Sequence, residues 1–154
     1  MVLFVCYNLY VRVIVQRVSN ANCKVDGNIT GEINNGYMLL VGFGLSDGNA
    51  VVEKMAEKVS KLRIFEDEQG KINKSIFDVN GKILSISQFT LYGDVKKGNR
   101  PTYINAMRGE ESKILYDKFN ELLKEEVPVE TGIFGADMKV ELLNDGPTTI
   151  IIEK

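Results

Sequence analysis

A chain of 154 residues, 44% hydrophobic and 26% charged, has the length of one domain that buries its own core, so it needs no disulfide or metal staple. Its 19 basic and 21 acidic side chains leave a net charge of −2, which argues against broad, sequence-blind nucleic-acid binding while allowing docking on a single RNA end. Histidine is absent, and Cys6 and Cys23 are the only cysteines and form no C-x-x-C pair, which removes the usual hydrolytic base, a disulfide framework and a cysteine metal site together.

Residues 1–10 are apolar but too short to span a bilayer, and they lack the basic region and cleavage site of a signal peptide. The β-branched run at residues 11–18 reads as a strand buried on much of both faces. Asp26-Gly27 between two β-prone runs marks a hairpin, and Asn35-Gly36 a second turn before an apolar central strand at residues 37–43. Val51, Val52, Met55, Ala56, Val59 and Leu62 recur at helical spacing, with Asp47 as the expected N-cap. A short strand follows at residues 63–67, then an Asn80-Gly81 turn and a strand from Lys82 to Tyr92. A second amphipathic helix is predicted from Glu110 to Lys124, with Ile114, Leu115, Phe119, Leu122 and Leu123 inward and Pro128 beyond its end. Two strands, residues 136–143 and 148–152, joined by a turn at residues 144–147, close the chain. The fold class expected is therefore α/β: a single domain with largely antiparallel or mixed β-sheets and two principal amphipathic helices.

Most chemistry-bearing patterns dissolve on inspection. The glycines of residues 42–48 miss the G-x-G-x-x-G spacing by one place, and no Gly-Lys-Ser/Thr follows, so they read as a flexible strand-to-helix connection. Glu66, Asp67 and Glu68 are adjacent, so their side chains point to different faces and do not converge on a cation. Lys96, Lys97, Arg100 and Arg108 could serve a few phosphates, yet on charge alone they read as an ordinary solvated loop. Ser87 and Thr90 have no legible activating partner. By themselves, residues 87–91 read as a core strand and Gly146-Pro147 as a turn.

Taken in register, however, six peptides resemble one family. They are Val13-Ile14-Val15-Gln16-Arg17-Val18, Arg63-Ile64-Phe65, Ser87-Gln88-Phe89-Thr90-Leu91, Gly98-Asn99-Arg100-Pro101, Thr131-Gly132-Ile133-Phe134-Gly135-Ala136-Asp137-Met138, and Asn144-Asp145-Gly146-Pro147. Their order and content resemble the D-aminoacyl-tRNA deacylases, also called D-tyrosyl-tRNA deacylases, over residues 11–154. Residues 1–10 are then an extension outside the match, and Thr148 stands where the family usually has an apolar β-branched residue.

The resemblance implies the fold of that family and a cytoplasmic homodimer whose active sites lie at the subunit interface. The implied reaction is hydrolysis of the ester of D-aminoacyl-tRNA, and of mischarged glycyl-tRNA, as chiral proofreading in translation. The 3′ end of aminoacyl-tRNA is the implied partner, with no membrane or DNA partner, no cofactor and no metal. By the same resemblance Gln88, Phe89 and Thr90 form the catalytic surface, with backbone N–H groups near Phe89 and Thr90 as the expected oxyanion donors. Ser87, Phe134, Met138, Asn144, Gly146 and Pro147 are the implied substrate-binding residues. Gly146-Pro147, with a cis bond, enters the other subunit's pocket, and Arg17 braces the pair. The alternatives are a relative that tolerates some L-aminoacyl esters and a non-catalytic dimer that binds an RNA end or a protein.

Overall fold

The computed structural model describes residues 10–154, so all but the last residue of the expected extension lies outside the described residues. Strand β1 (Arg12–Val25) organises the domain. Its first half pairs antiparallel with β3 (Gly36–Gly42), and its second half with β2 (Asn28–Ile33). The β1–β2 hairpin turns on Asp26 and Gly27, both at positive φ, as the Asp-Gly signal requires. Along its other edge β1 pairs with the long strand β8 (Lys139–Glu153). Beyond β3 the sheet continues in parallel through β6 (Lys82–Ser87) and β7 (Val129–Thr131), which makes it mixed. A side chain at Gly36 would collide with the Lys82 backbone, so the close approach of β3 to β6 depends on glycine there.

The period-2 alternation of β1 and β3 sends side chains to two cores. Val13, Val15, Tyr37, Leu39 and Val41 face helices α1 (Asn49–Lys61) and α2 (Gly109–Lys124), where they meet Val52, Met55, Val59, Phe119 and Leu123. Each such side chain contributes roughly 1.5–3 kcal/mol on burial. Val18, Ala21, Cys23, Met38, Leu84 and Ile86 form a smaller core on the opposite face, with Met138, Val140 and Leu142 packed against it.

Several expectations change on contact with the fold. The strand expected to run to Tyr92 stops at Ser87, and a turn of 3₁₀ helix (Phe89–Tyr92) follows. The short strand near residue 65 is only β4 (Phe65–Glu66), paired with β5 (Ile72–Lys74), which polar composition hides. Ile114 is 60% exposed, because the buried stripe of α2 runs through Ser112, Leu115, Tyr116, Phe119, Asn120 and Leu123 and leaves residue 114 on the far side. Gly48, not Asp47, holds the N-cap position of α1. The Asp47 carboxylate instead accepts the Gly44 N–H at 2.6 Å, closing the loop that precedes the helix. Finally, the two closing strands are one. Both flanks of residues 144–148 pair with β1, so the Gly-Pro peptide does not reverse the chain.

Candidate active site

Three chain segments converge at the C-terminal end of β6. The Gln88 N–H donates to the Val41 carbonyl at 2.7 Å, the last ladder bond before the chain leaves the sheet. It then coils through Phe89–Tyr92, closed by the Gly93 N–H on the Thr90 carbonyl at 2.9 Å and by Arg12 Nη1 on the Leu91 carbonyl at 2.9 Å. A Cβ on Gly42 would come 2.8 Å from the Gln88 carbonyl, so only glycine allows β3 to run this close beneath the turn. Across from it, residues 134–138 pack Phe134 against Tyr116, ring centres 5.9 Å apart, and fold Met138 over Gly132, where a Cβ would collide with the Met138 sulfur. The rim is completed by Met107, Arg108, Gly109 and Ser112 at the start of α2.

The result is a cleft of about 460 Å³ with Val41, Ile86 and Val140 among its apolar lining residues. Ser87, Gln88, Phe89, Phe134 and Met138, all singled out from the sequence, line it. Thr90 does not; it is exposed, and its hydroxyl accepts a hydrogen bond from the Gln88 side-chain amide. Asp137 is the one carboxylate in the lining, and it is exposed and ion-paired with Lys139 at 3.1 Å. Tyr116 donates to the buried Ser85 carbonyl at 2.8 Å, and burial raises its phenol pKa further, so it stays protonated and is no base. Asp47, pushed up to about 6 by burial, does not line the cleft.

At the edge of the cleft two backbone N–H groups are left without partners. Phe89 and Thr90 begin a helical turn, so their N–H groups have no carbonyl one turn back, and no acceptor serves them among the described residues. No side chain caps α2 either, and its Gly109 and Ser112 face the cleft, so the positive end of the helix dipole lies at the rim.

The second predicted element stands apart. Asn144, Gly146 and Pro147 do not line the cleft of their own chain, and Arg17 does not either. Between the Gln16–Thr149 and Val18–Asn144 pairs β1 advances two residues and β8 five, so residues 145–148 swell out of the edge strand as a bulge. The Gly146-Pro147 bond is cis, both residues are exposed, and Gly146 has φ +134°. Arg17, only 7% exposed, donates from Nε to the Asp145 carbonyl at 3.1 Å and from Nη1 to the Ile64 carbonyl at 2.6 Å. Asn144 accepts the Thr148 N–H at 2.8 Å and donates to the Thr149 hydroxyl at 2.9 Å. The bulge is thus held from both ends by its own subunit.

A cleft without a titrating base and a braced, outward Gly-Pro bulge share one chain, and the family model described as D-Tyr-tRNA(Tyr) deacylase matches residues 14–153. The chain belongs to this deacylase family. Proteins called D-aminoacyl-tRNA deacylase from Lactobacillus delbrueckii subsp. bulgaricus and Lactobacillus acidophilus are each 54% identical over 143 residues, 92% of this chain and 99% of the relative. The solved c-Myc DNA Unwinding Element Binding Protein superposes with a TM-score of 0.88 at 40% identity, covering 93% of this chain and 98% of that one. A probable eukaryotic D-amino acid tRNA deacylase, 17% identical, shares the fold with a TM-score of 0.80 over 95% of this chain and all of its own.

Sequence reasoning about this deacylase-family chain missed Met107, Gly109 and Ser112 of the rim, and took Arg108 on charge alone as part of a solvated loop. Gly109 followed by Glu110 and Glu111 is a helix-start signature, and a helix start beside a cleft is where N–H groups gather. That signal was available, but its position over the cleft was not.

Proposed function

We propose that this chain hydrolyses the ester that joins a D-amino acid to the terminal ribose of tRNA, acting as a cytoplasmic homodimer in chiral proofreading. The observation that carries the reading is the pair of unpartnered N–H groups at Phe89 and Thr90 on the cleft's edge, in a chain that has no histidine. An aminoacyl ester is already reactive, and the neighbouring 2′-hydroxyl assists its loss. Positioning and stabilisation of the oxyanion by two backbone donors then suffice, with water supplying the hydroxyl of the released acid.

In this reading Ser87, Gln88, Phe134 and Met138 shape the pocket, and the Gly146-Pro147 carbonyls of the partner subunit capture the substrate's amino group. Rigid carbonyls in that place leave room for hydrogen on one side of the α-carbon and none for an L side chain. Glycine, lacking a side chain, enters as well. Support for action across a dimer comes from the bulge, which is exposed and outside the lining of its own cleft, and from its neighbours on β8, Leu143 at 57% and Ile151 at 66% exposure. An isologous pairing of such surfaces brings each bulge to the other subunit symmetrically.

Matched D- and L-aminoacyl-tRNA, with glycyl-tRNA alongside, test the reading. Release of D-amino acid and glycine with the L-ester spared is expected. Equal turnover of D- and L-esters would remove the chiral role, and no turnover of any ester would leave a binding protein.

A further inference from the structure

We infer that residues 94–102 form a cationic arm that grips phosphates of the single-stranded 3′ end of the aminoacyl-tRNA, through Lys96, Lys97 and Arg100; this rests on the reading of the cleft as an aminoacyl-tRNA site. Asp94 and Thr102 pair in both directions, N–H to carbonyl at 2.9 and 3.0 Å, and close a hairpin with Lys96-Lys97-Gly98-Asn99-Arg100 at its tip. The three cations are exposed, lie within five residues of one another, and have no ion-pair partner among the described residues. The arm's single carboxylate, Asp94, accepts the Lys96 backbone N–H at 2.9 Å, so it orders the turn and does not neutralise the lysine side chains.

The arm is fixed to the cleft, not merely near it. Residues 89–92 of the cleft edge lead into it directly, and its far end returns to Tyr103, whose ring packs edge-on to Phe89 with centres 5.1 Å apart. At the arm's base Gly93 packs so closely that a Cβ would lie 3.2 Å from the Tyr103 ring and 3.7 Å from Pro101. The Arg108 guanidinium lies 4.3 Å above the Phe89 ring, a fourth cation on the same rim. Residues 94–108 thus concentrate four positive charges against one negative in a chain whose net charge is −2. A substrate whose terminal ester sits beside Phe89 has its last phosphates within reach of this arm, and a polyanion is the ligand that so local a surplus of unpaired cations recognises.

The test compares wild type with Lys96→Gln/Lys97→Gln/Arg100→Gln on two substrates: D-aminoacyl-tRNA and the D-aminoacyl ester of adenosine, which carries the ester and ribose but no phosphate. Three contacts to a single strand carry a salt slope of about −2, so from about 50 to 200 mM salt the wild-type KM for tRNA should rise roughly twentyfold more than that of the variant. At low salt the variant should show a KM for tRNA raised about tenfold or more, with kcat kept and turnover of the adenosine ester unchanged. A variant equal to wild type on tRNA overturns the arm, as does an equal loss on both substrates. Wild type inert on both substrates removes the hydrolytic reading itself, a result distinct from either.

Discussion

The cleft and the Gly-Pro bulge are built in opposite ways. The cleft is concave, walled by the end of β6, residues 134–138 and the start of α2, and at its edge the Phe89 and Thr90 N–H groups are left without acceptors. The bulge is convex and exposed; its side-chain hydrogen bonds are satisfied inside its own subunit by Arg17, Asn144 and Thr149. A hollow edged by unpartnered donors and a braced projection outside its lining are, on the reading proposed above, the two halves of a site that a second copy completes. The proposed function gives the two regions separate duties: stabilisation of developing charge to the hollow, and choice of the admitted stereoisomer to the projection.

Gly146→Ala should break the comparison most deeply. A Cβ there would lie 2.5 Å from the Thr148 hydroxyl and 2.9 Å from its backbone nitrogen, at φ +134°, so the bulge must reshape. We expect kcat/KM for D-aminoacyl-tRNA to fall about 100-fold, the rate equivalent of about 2.7 kcal/mol, or discrimination against L-esters to relax. The left-handed φ and the close contacts strain an alanine there, so the urea midpoint should fall modestly as well.

Arg17→Ala should damage the projection and the fold together. It strands the Asp145 carbonyl and the buried Ile64 carbonyl, each of which loses a charge-assisted hydrogen bond. A stability loss of about 1–3 kcal/mol in urea unfolding is expected, with a smaller loss of chiral preference than Gly146→Ala produces. Thr90→Ala sharpens the comparison from the other side. If the hollow acts through backbone N–H groups, the hydroxyl is dispensable and kcat/KM should fall less than about threefold. A covalent aminoacyl intermediate on Thr90, seen by mass spectrometry, would overturn that mechanism.

The smallest effect belongs to Asp47, outside both regions. Burial holds its carboxyl at about 6, against 3.8 ordinarily, so between those values the folded protein keeps a proton that the unfolded chain has released. Its contribution to stability is therefore full below about pH 4, falls as pH rises through about 6, and is level above. Thermal midpoints measured from pH 4 to 7 should lack this component in Asp47→Asn, while the cleft's activity is unaffected.

The cleft wall was legible because Ser87–Leu91 and residues 131–138 are distinctive peptides, and the helices because apolar residues recur at a helical period. The bulge was legible as a peptide and misread as a shape. Asn-Asp-Gly-Pro suits a turn and a bulge alike, and only the pairing of both flanks with β1, more than a hundred residues away in sequence, decides between them. Ile114 failed for a similar reason: it lies within an apolar pair with Leu115, and which of the two faces the sheet depends on how α2 docks. Met107 to Ser112 reach the cleft only through that docking, which no local pattern encodes.

Subunit complementation tests the division of labour most directly. Gly146→Ala disables the projection, and Ala136→Trp fills the hollow, since Ala136 lines it. Each homodimer alone should be nearly inactive while still folding and unfolding cooperatively. Unfolding and refolding the two together in equal amounts should restore about a quarter of wild-type activity, because half of the dimers are mixed and each mixed dimer holds one intact hollow facing one intact bulge. Mixed dimers that are present by native mass spectrometry yet remain inactive would contradict a site shared between subunits.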